Sequence, residues 1–337
     1  MSAIVATQPL GSPPWPTLDP FLFCVHHNDD YPSGSKRFGV DASYFSGRNM
    51  GSDFSGKDGF SMYHGDHVPG FPSHPHRGFE TVTLARRGFI DHSDSMGARA
   101  RFGLGDCQWM TAGKGVVHSE MFPLLDDQRR NPTELFQIWL NLPASDKMVD
   151  PYFTMFWADR IPKLNFHDGG ATEVTVVCGS IDGVDTQAPP PNSWAAREEA
   201  EVAIWPIRMA PGARYTLPAA SPGLNRALYA FQGSVTVDGK AFGRPTLVQL
   251  KSDAAVPLQA GDAPVELLML QGRPIGEPVA HYGPFVMNTR AELEQAFADY
   301  RSTQFGGWPW DRRDPVHGGD GRRFAVHADG REEAPKA

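Results

Sequence analysis

The chain has 337 residues, 40% of them hydrophobic and 21% charged, which places it among ordinary globular proteins and excludes a disordered or low-complexity chain. Lys and Arg number 31 against 39 Asp and Glu; the resulting net charge of -8, without any basic cluster, argues against direct nucleic-acid binding. The length suits two cores, and 35 Gly with 30 Pro spread without a repeat suit many short strands joined by tight turns, an all-β class.

From the N-terminus, "MSAIVATQPLGSPPWP" lacks a basic region followed by an apolar core, and nowhere do about 18 apolar residues run together. Cys24, Cys107 and Cys178 are odd in number and fit neither a disulfide framework nor a CxxC zinc pattern, so a reducing compartment is expected. A cytoplasmic protein with no membrane segment follows from these features as an expectation.

The stretch "FPSHPHRGFETVTLARRGFIDHSD", residues 71–94, sets His74 and His76 two apart ahead of an alternating apolar and polar run. In a strand, residues two apart share a face, so both imidazoles project together while Pro75 points away. Proline removes a ladder donor and puts this segment at a sheet edge or strand start. Alternating strands broken at Gly88, "DSMG", "GLGD" and "AGKG" then run to "GKGVVHSEMF", which supplies His118 and Glu120, again two apart. Two such pairs on neighbouring strands can converge on one ion, and three imidazoles with a carboxylate suit iron, nickel, copper, manganese or zinc.

Other readings compete at each position. An isolated HxH is often structural, and Glu80, four residues from His76 and on its face by parity, rivals Glu120 as the carboxylate. His64, His67 and His92 lie in turn-like sequence and read as surface groups or groups behind the ligands. His26 and His27 are adjacent and would face opposite ways, and Cys107 with Trp109 reads as core packing.

"LFQIWLNLP", residues 135–143, fits a buried strand closing the first sheet, and the Pro-punctuated "PASDKMVDPYFTMFWADRIP" reads as the crossover to a second strand series. "TRAELEQAFADYRSTQ", residues 289–304, predicts a helix with Thr289 as N-cap and Leu293, Phe297 and Tyr300 on one stripe. The remaining tail is irregular, but Trp308 and Trp310 predict that it packs against a barrel.

"HPHRGFETVT", "GDCQWMTAGKGVVHSEMFP", "FQIWLNLP", "DKMVDP" and "GPFVMNT" resemble the signature segments of the pirin family, within the cupin superfamily, over about residues 20–305. The resemblance implies a bicupin of two jelly-roll β-barrels: residues 1–150 as the metal-binding N-terminal barrel, 151–305 as a barrel without a metal site, and 306–337 as the tail. It implies His74, His76, His118 and Glu120 as ligands, with Glu80 behind them. In the second barrel "YTLPAA" stands where HxH would be, which implies no metal there. The chain departs from vertebrate members through "YFSGRNMGSDFSGKDGFSMYHGDHVPG" and the Trp-containing tail, either of which would narrow a pocket mouth.

The activity implied is that of a quercetin 2,3-dioxygenase, with Fe(II) first among the metals, a flavonol-like aromatic substrate and O2, and His118 and Glu120 in catalytic roles. The alternative is a non-enzymatic redox-sensing regulator acting through a protein partner. A monomer is the family expectation.

Overall fold

The computed structural model describes residues 2–336 and divides into two compact units. Both are β-structures of two facing sheets, so the molecule is a bicupin with one C-terminal helix, as the resemblance implied.

The unit carrying the histidine motifs comprises, of the described residues, 26–137, 142–159 and 277–336. Its strands are β1 (Phe21–Tyr31), β2 (Gly70–His76), β3 (Phe79–Arg87), β4 (Phe89–Asp94), β5 (Arg99–Gly103), β6 (Cys107–Thr111), β7 (Val116–Met121), β8 (Asn131–Asn141), β9 (Tyr152–Phe156), β10 (Phe324–Val326) and β11 (Glu332–Glu333). One sheet has the order β9-β6-β3-β8-β1 and the other the order β11-β10-β5-β4-β7-β2. Between them lies an apolar core that includes Tyr31, Ile90, Phe102, Met110, Leu135 and Trp157, all fully buried or nearly so. Alternation along β4, β5 and β7 is what turns one face of each strand inward.

Three features of this unit differ from the sequence reading. The segment read as crossover contains β9, which pairs with β6 from Tyr152↔Thr111 to Phe156↔Cys107. The tail is not irregular throughout: β10 adds to β5 through Phe324↔Arg101, and Ala325 is fully buried. Trp310 donates from Nε1 to the Asp94 carbonyl at 2.9 Å, whereas Trp308 bonds within the tail to the Arg312 carbonyl at 2.6 Å. The helix is placed as expected, α1 (Arg290–Thr303), with Thr289 and Glu292 forming a reciprocal capping box.

The other unit comprises, of the described residues, 2–25, 138–141 and 160–276. A seven-stranded sheet begins with Ile4–Pro9, which pairs with Thr246–Leu250 and so joins the N-terminal segment to strands some 240 residues away. Its interior is filled by Trp205, Ile207, Met209, Leu228, Val248 and Met269, and Tyr215 and Leu217 of "YTLPAA" lie in the same apolar cluster. The N-terminal segment from Ile4 to Pro9 thus packs with the second strand series, while residues 277–305 group with the histidine-bearing unit.

Candidate metal centre

β2 is the edge strand of its sheet, the position that Pro75 tolerates. It pairs with β7 so that His74 lies opposite His118, with a register shift between Phe71 and His74. β4 pairs with the other side of β7, placing His92 opposite Glu120 and Asp94 opposite His118. Opposed residues share a face, so one inward surface carries His74, His76, His118, Glu120, His92 and Asp94.

The structure brings three of the expected ligands together. Donor nitrogens of His74, His76 and His118 lie within 4.8 Å of one another. Their rings stand 4.5 Å (His74 to His118), 4.9 Å (His76 to His118) and 4.8 Å (His74 to His76) apart by centroid. The His74 Nδ1–H donates to the Pro72 carbonyl at 2.9 Å and the His76 Nδ1–H to the Pro284 carbonyl at 3.3 Å. A carbonyl only accepts, so each bond puts the proton on Nδ1 and the lone pair on Nε2, the tautomer that a metal requires. Burial lowers the His74 pKa to about 4 and holds His76 and His118 well below the ordinary value, so all three rings are neutral at pH 7.

Whether these residues fit a metal is decided by His118. Its ring is fully buried, and neither of its nitrogens has a hydrogen-bond partner. An unmet buried imidazole costs about 1–3 kcal/mol. An ion bound between the three rings would take the lone pair of one of these nitrogens and remove that part of the cost, so the triad fits a metal.

Glu120 is on the same face but stands apart from this set of donor atoms. Gln137 Nε2 donates to its Oε2 at 2.7 Å, while Thr83 Oγ1 lies 2.9 Å from its Oε1 and 2.5 Å from Gln137 Oε1. Thr83 has one hydroxyl proton for two acceptors. The Thr83 hydroxyl therefore donates to one of the two at a time, and burial raises the Glu120 carboxyl while the bonds from Thr83 and Gln137 hold it down. Glu80, the rival by parity, is also buried but takes the Thr111 hydroxyl at 2.7 Å and lies in β3, in the opposite sheet. Parity fails between His76 and Glu80 because Arg77 and Gly78 turn the chain from one sheet to the other.

That turn is held tightly. Gly78 has φ +85°, and a Cβ there would lie 2.0 Å from the Val286 carbonyl oxygen. Buried Lys147 donates to the Gly78 carbonyl at 2.7 Å, and Arg77 pairs with Asp299 at 2.6 Å. Gly78→Ala is expected to cost more than 2 kcal/mol in unfolding free energy and to weaken metal binding by displacing His76. Denaturant unfolding and a metal titration check both effects; wild-type values in both would contradict the role given to this turn.

His92 is the residue that sequence reasoning undervalued. It is fully buried, its Nε2 faces Asp94 Oδ2 at 3.2 Å, and its ring lies 5.6 Å from that of His118. The H-x-D spacing of His92 and Asp94 repeats the two-residue period of the other pairs and is the signal that would have found it. His64 is exposed and bonds the Gly51 carbonyl, and half-buried His67 faces Ser35. His26 faces Glu134, whereas His27 faces Tyr63, the opposed directions expected of adjacent strand residues. Phe79 packs 5.0 Å from His76 and Phe71 6.3 Å from His74, whereas Trp109 is buried against Phe156.

Fold and site together define a bicupin whose histidine triad can hold a metal. The family model described as "Pirin" matches residues 10–140, and that of the "Pirin C-terminal cupin domain" matches residues 204–306. The chain belongs to the pirin family. It is 38% identical over 242 residues to a Pseudomonas aeruginosa protein named "Putative quercetin 2,3-dioxygenase", covering 70% of this chain and 80% of that one. A "Pirin-like protein" of Caulobacter vibrioides is 39% identical over 241 residues, covering 71% and 82% of the two chains. The crystal structure of a quercetin 2,3-dioxygenase from Acinetobacter baumannii superposes with a TM-score of 0.71 at 26% identity, over 91% of this chain and 99% of that one.

Proposed function

We propose that this pirin is an iron(II)-dependent dioxygenase that opens flavonol-like substrates with O2. The observation that carries the proposal is the buried, unmet His118 at the centre of a neutral histidine triad, in a chain whose relatives bear quercetin 2,3-dioxygenase names. His74, His76 and His118 would hold the ion, and Glu120, on the same face but apart from the three nitrogens, would supply its carboxylate. A bound ion acidifies a coordinated hydroxyl and supplies the redox capacity that oxygen chemistry needs.

The chain's own residues do the rest. Partly exposed Phe71 beside His74 offers an apolar ring against which a flat substrate packs, and fully buried Phe79 backs His76. Glu120 is the group placed to take the substrate's hydroxyl proton on Oε1, the atom beside Thr83. Gln137 orients that carboxyl through Oε2.

Anaerobic mixing of quercetin with iron-loaded protein tests this reading, because an ionised flavonol absorbs at longer wavelength than the neutral form. A red shift in wild type that is absent in Glu120→Gln is expected. Binding without any shift would remove Glu120 from the proton's path.

A further inference from the structure

Beside the triad lies a second set of polar groups for which the chemistry above has no use. Tyr63 donates its hydroxyl to Asp29 Oδ2 at 2.7 Å, and His27 Nδ1 lies 2.8 Å from the same hydroxyl oxygen. Asp29 Oδ1 is held by the Ser61 amide at 2.8 Å. Burial raises the Asp29 carboxyl to about 6, so at pH 7.5 it is ionised and accepts. Since the Tyr63 proton is committed to Asp29, its oxygen accepts from His27 Nδ1–H. The imidazole is thereby fixed with its lone pair on Nε2, an atom with no hydrogen-bond partner among the described residues.

This arrangement is costly to build. Tyr63 holds φ +57°, a left-handed conformation rare for a bulky residue, and is locked there by reciprocal backbone bonds with Asp53 at 2.7 and 2.8 Å. Asp29 and Tyr63 are buried, whereas His27 is partly open, as are Phe71 and His74. Phe71 joins the two groups: its ring stacks on Tyr63 at 5.1 Å and 26°, and lies 5.8 Å from His27 and 6.3 Å from His74. Burial, with the neighbouring His26 charge, also pushes the His27 pKa down to about 3, which keeps the ring a neutral acceptor. Tyr63 comes from the segment "YFSGRNMGSDFSGKDGFSMYHGDHVPG", which follows β1 and runs to the first residue of β2.

We propose that His27, oriented by Tyr63 and Asp29, is a specificity-determining residue that accepts a hydrogen bond from a phenolic hydroxyl at the far end of an aromatic substrate held at the histidine triad. The assignment rests on the flavonol reading of the triad, and it selects among flavonols. The Phe71 ring separates the two polar ends, so the substrate class it favours carries a hydroxyl at the metal and another on a ring beyond Phe71.

Equilibrium binding by fluorescence quenching tests this, under nitrogen at pH 7.5, with iron-loaded protein and two probes: quercetin, and galangin, which lacks hydroxyls on the pendant ring. Wild type is expected to prefer quercetin about tenfold, the worth of one good hydrogen bond. His27→Phe keeps the ring stack and is expected to lose the preference with galangin affinity unchanged, His27→Gln to restore part of it, and Tyr63→Phe to weaken it at unchanged iron content. A His27→Phe variant with the wild-type preference overturns the His27 assignment alone. Binding of neither probe to iron-loaded wild type overturns the flavonol reading and takes the His27 assignment with it.

Discussion

Alanine at His118 is expected to lower iron affinity at least about a hundredfold and to leave the protein folded. The affinity loss follows from geometry: His118 is the ring that both other histidines face, at 4.5 and 4.9 Å, and its nitrogens are the pair left without partners. Removing a ligand exceeds the 10–100-fold cost of disturbing the groups behind one. Stability behaves differently. The substitution also deletes two unmet polar atoms, so metal-free His118→Ala is expected to unfold within about 1 kcal/mol of metal-free wild type, cavity cost and polar relief opposing one another. Metal content by emission spectrometry, with denaturant unfolding of both metal-free proteins, checks the two halves. Full iron occupancy in the variant would show that His118 is not a ligand.

Arg101→Ala is expected to be the most destabilising single change in the metal-bearing unit, by about 3–5 kcal/mol. Arg101 and Asp91 face one another in register on β5 and β4, both fully buried, and share two bonds of 2.7 Å. The pair also holds the tail: the His317 amide donates to Asp91 Oδ2 at 2.7 Å, and Arg101 Nη2 donates to the Gly318 carbonyl at 2.8 Å. Truncating one partner leaves a buried carboxylate uncompensated, which is where the loss of 3–5 kcal/mol arises. For a unit of this size the expected fall in melting temperature is on the order of 10 °C. Arg129→Ala is the control, because that side chain is 85% exposed where it pairs with Asp126 and such pairs contribute about 1 kcal/mol or less. Equal effects at the two sites would contradict the account.

Much of the site was legible because strand geometry has a period of two. His74 with His76, and His118 with Glu120, share faces by spacing alone, and the edge position of Pro75 follows from its missing amide proton. The same rule misled at Glu80, where Gly78 carries the chain between sheets and resets the parity. Long-range strand pairing was not legible from local pattern. Pairing of Ile4–Pro9 with Thr246–Leu250 leaves no mark in the residues nearby, and a three-residue strand such as Phe324–Val326 is too short to alternate visibly. Nor does spacing reveal the His27–Tyr63–Asp29 chain, in which Tyr63, held in a left-handed conformation, comes from 36 residues beyond His27 and 34 beyond Asp29.

Oxygen uptake by iron-reconstituted protein, supplied with quercetin and run beside His118→Ala, tests the central claim most directly. Uptake equal to the quercetin consumed, and absent in the variant, is the predicted result. An iron-loaded wild type that holds quercetin yet takes up no oxygen would contradict dioxygenase chemistry and leave the triad as the iron site of a redox-sensing regulator.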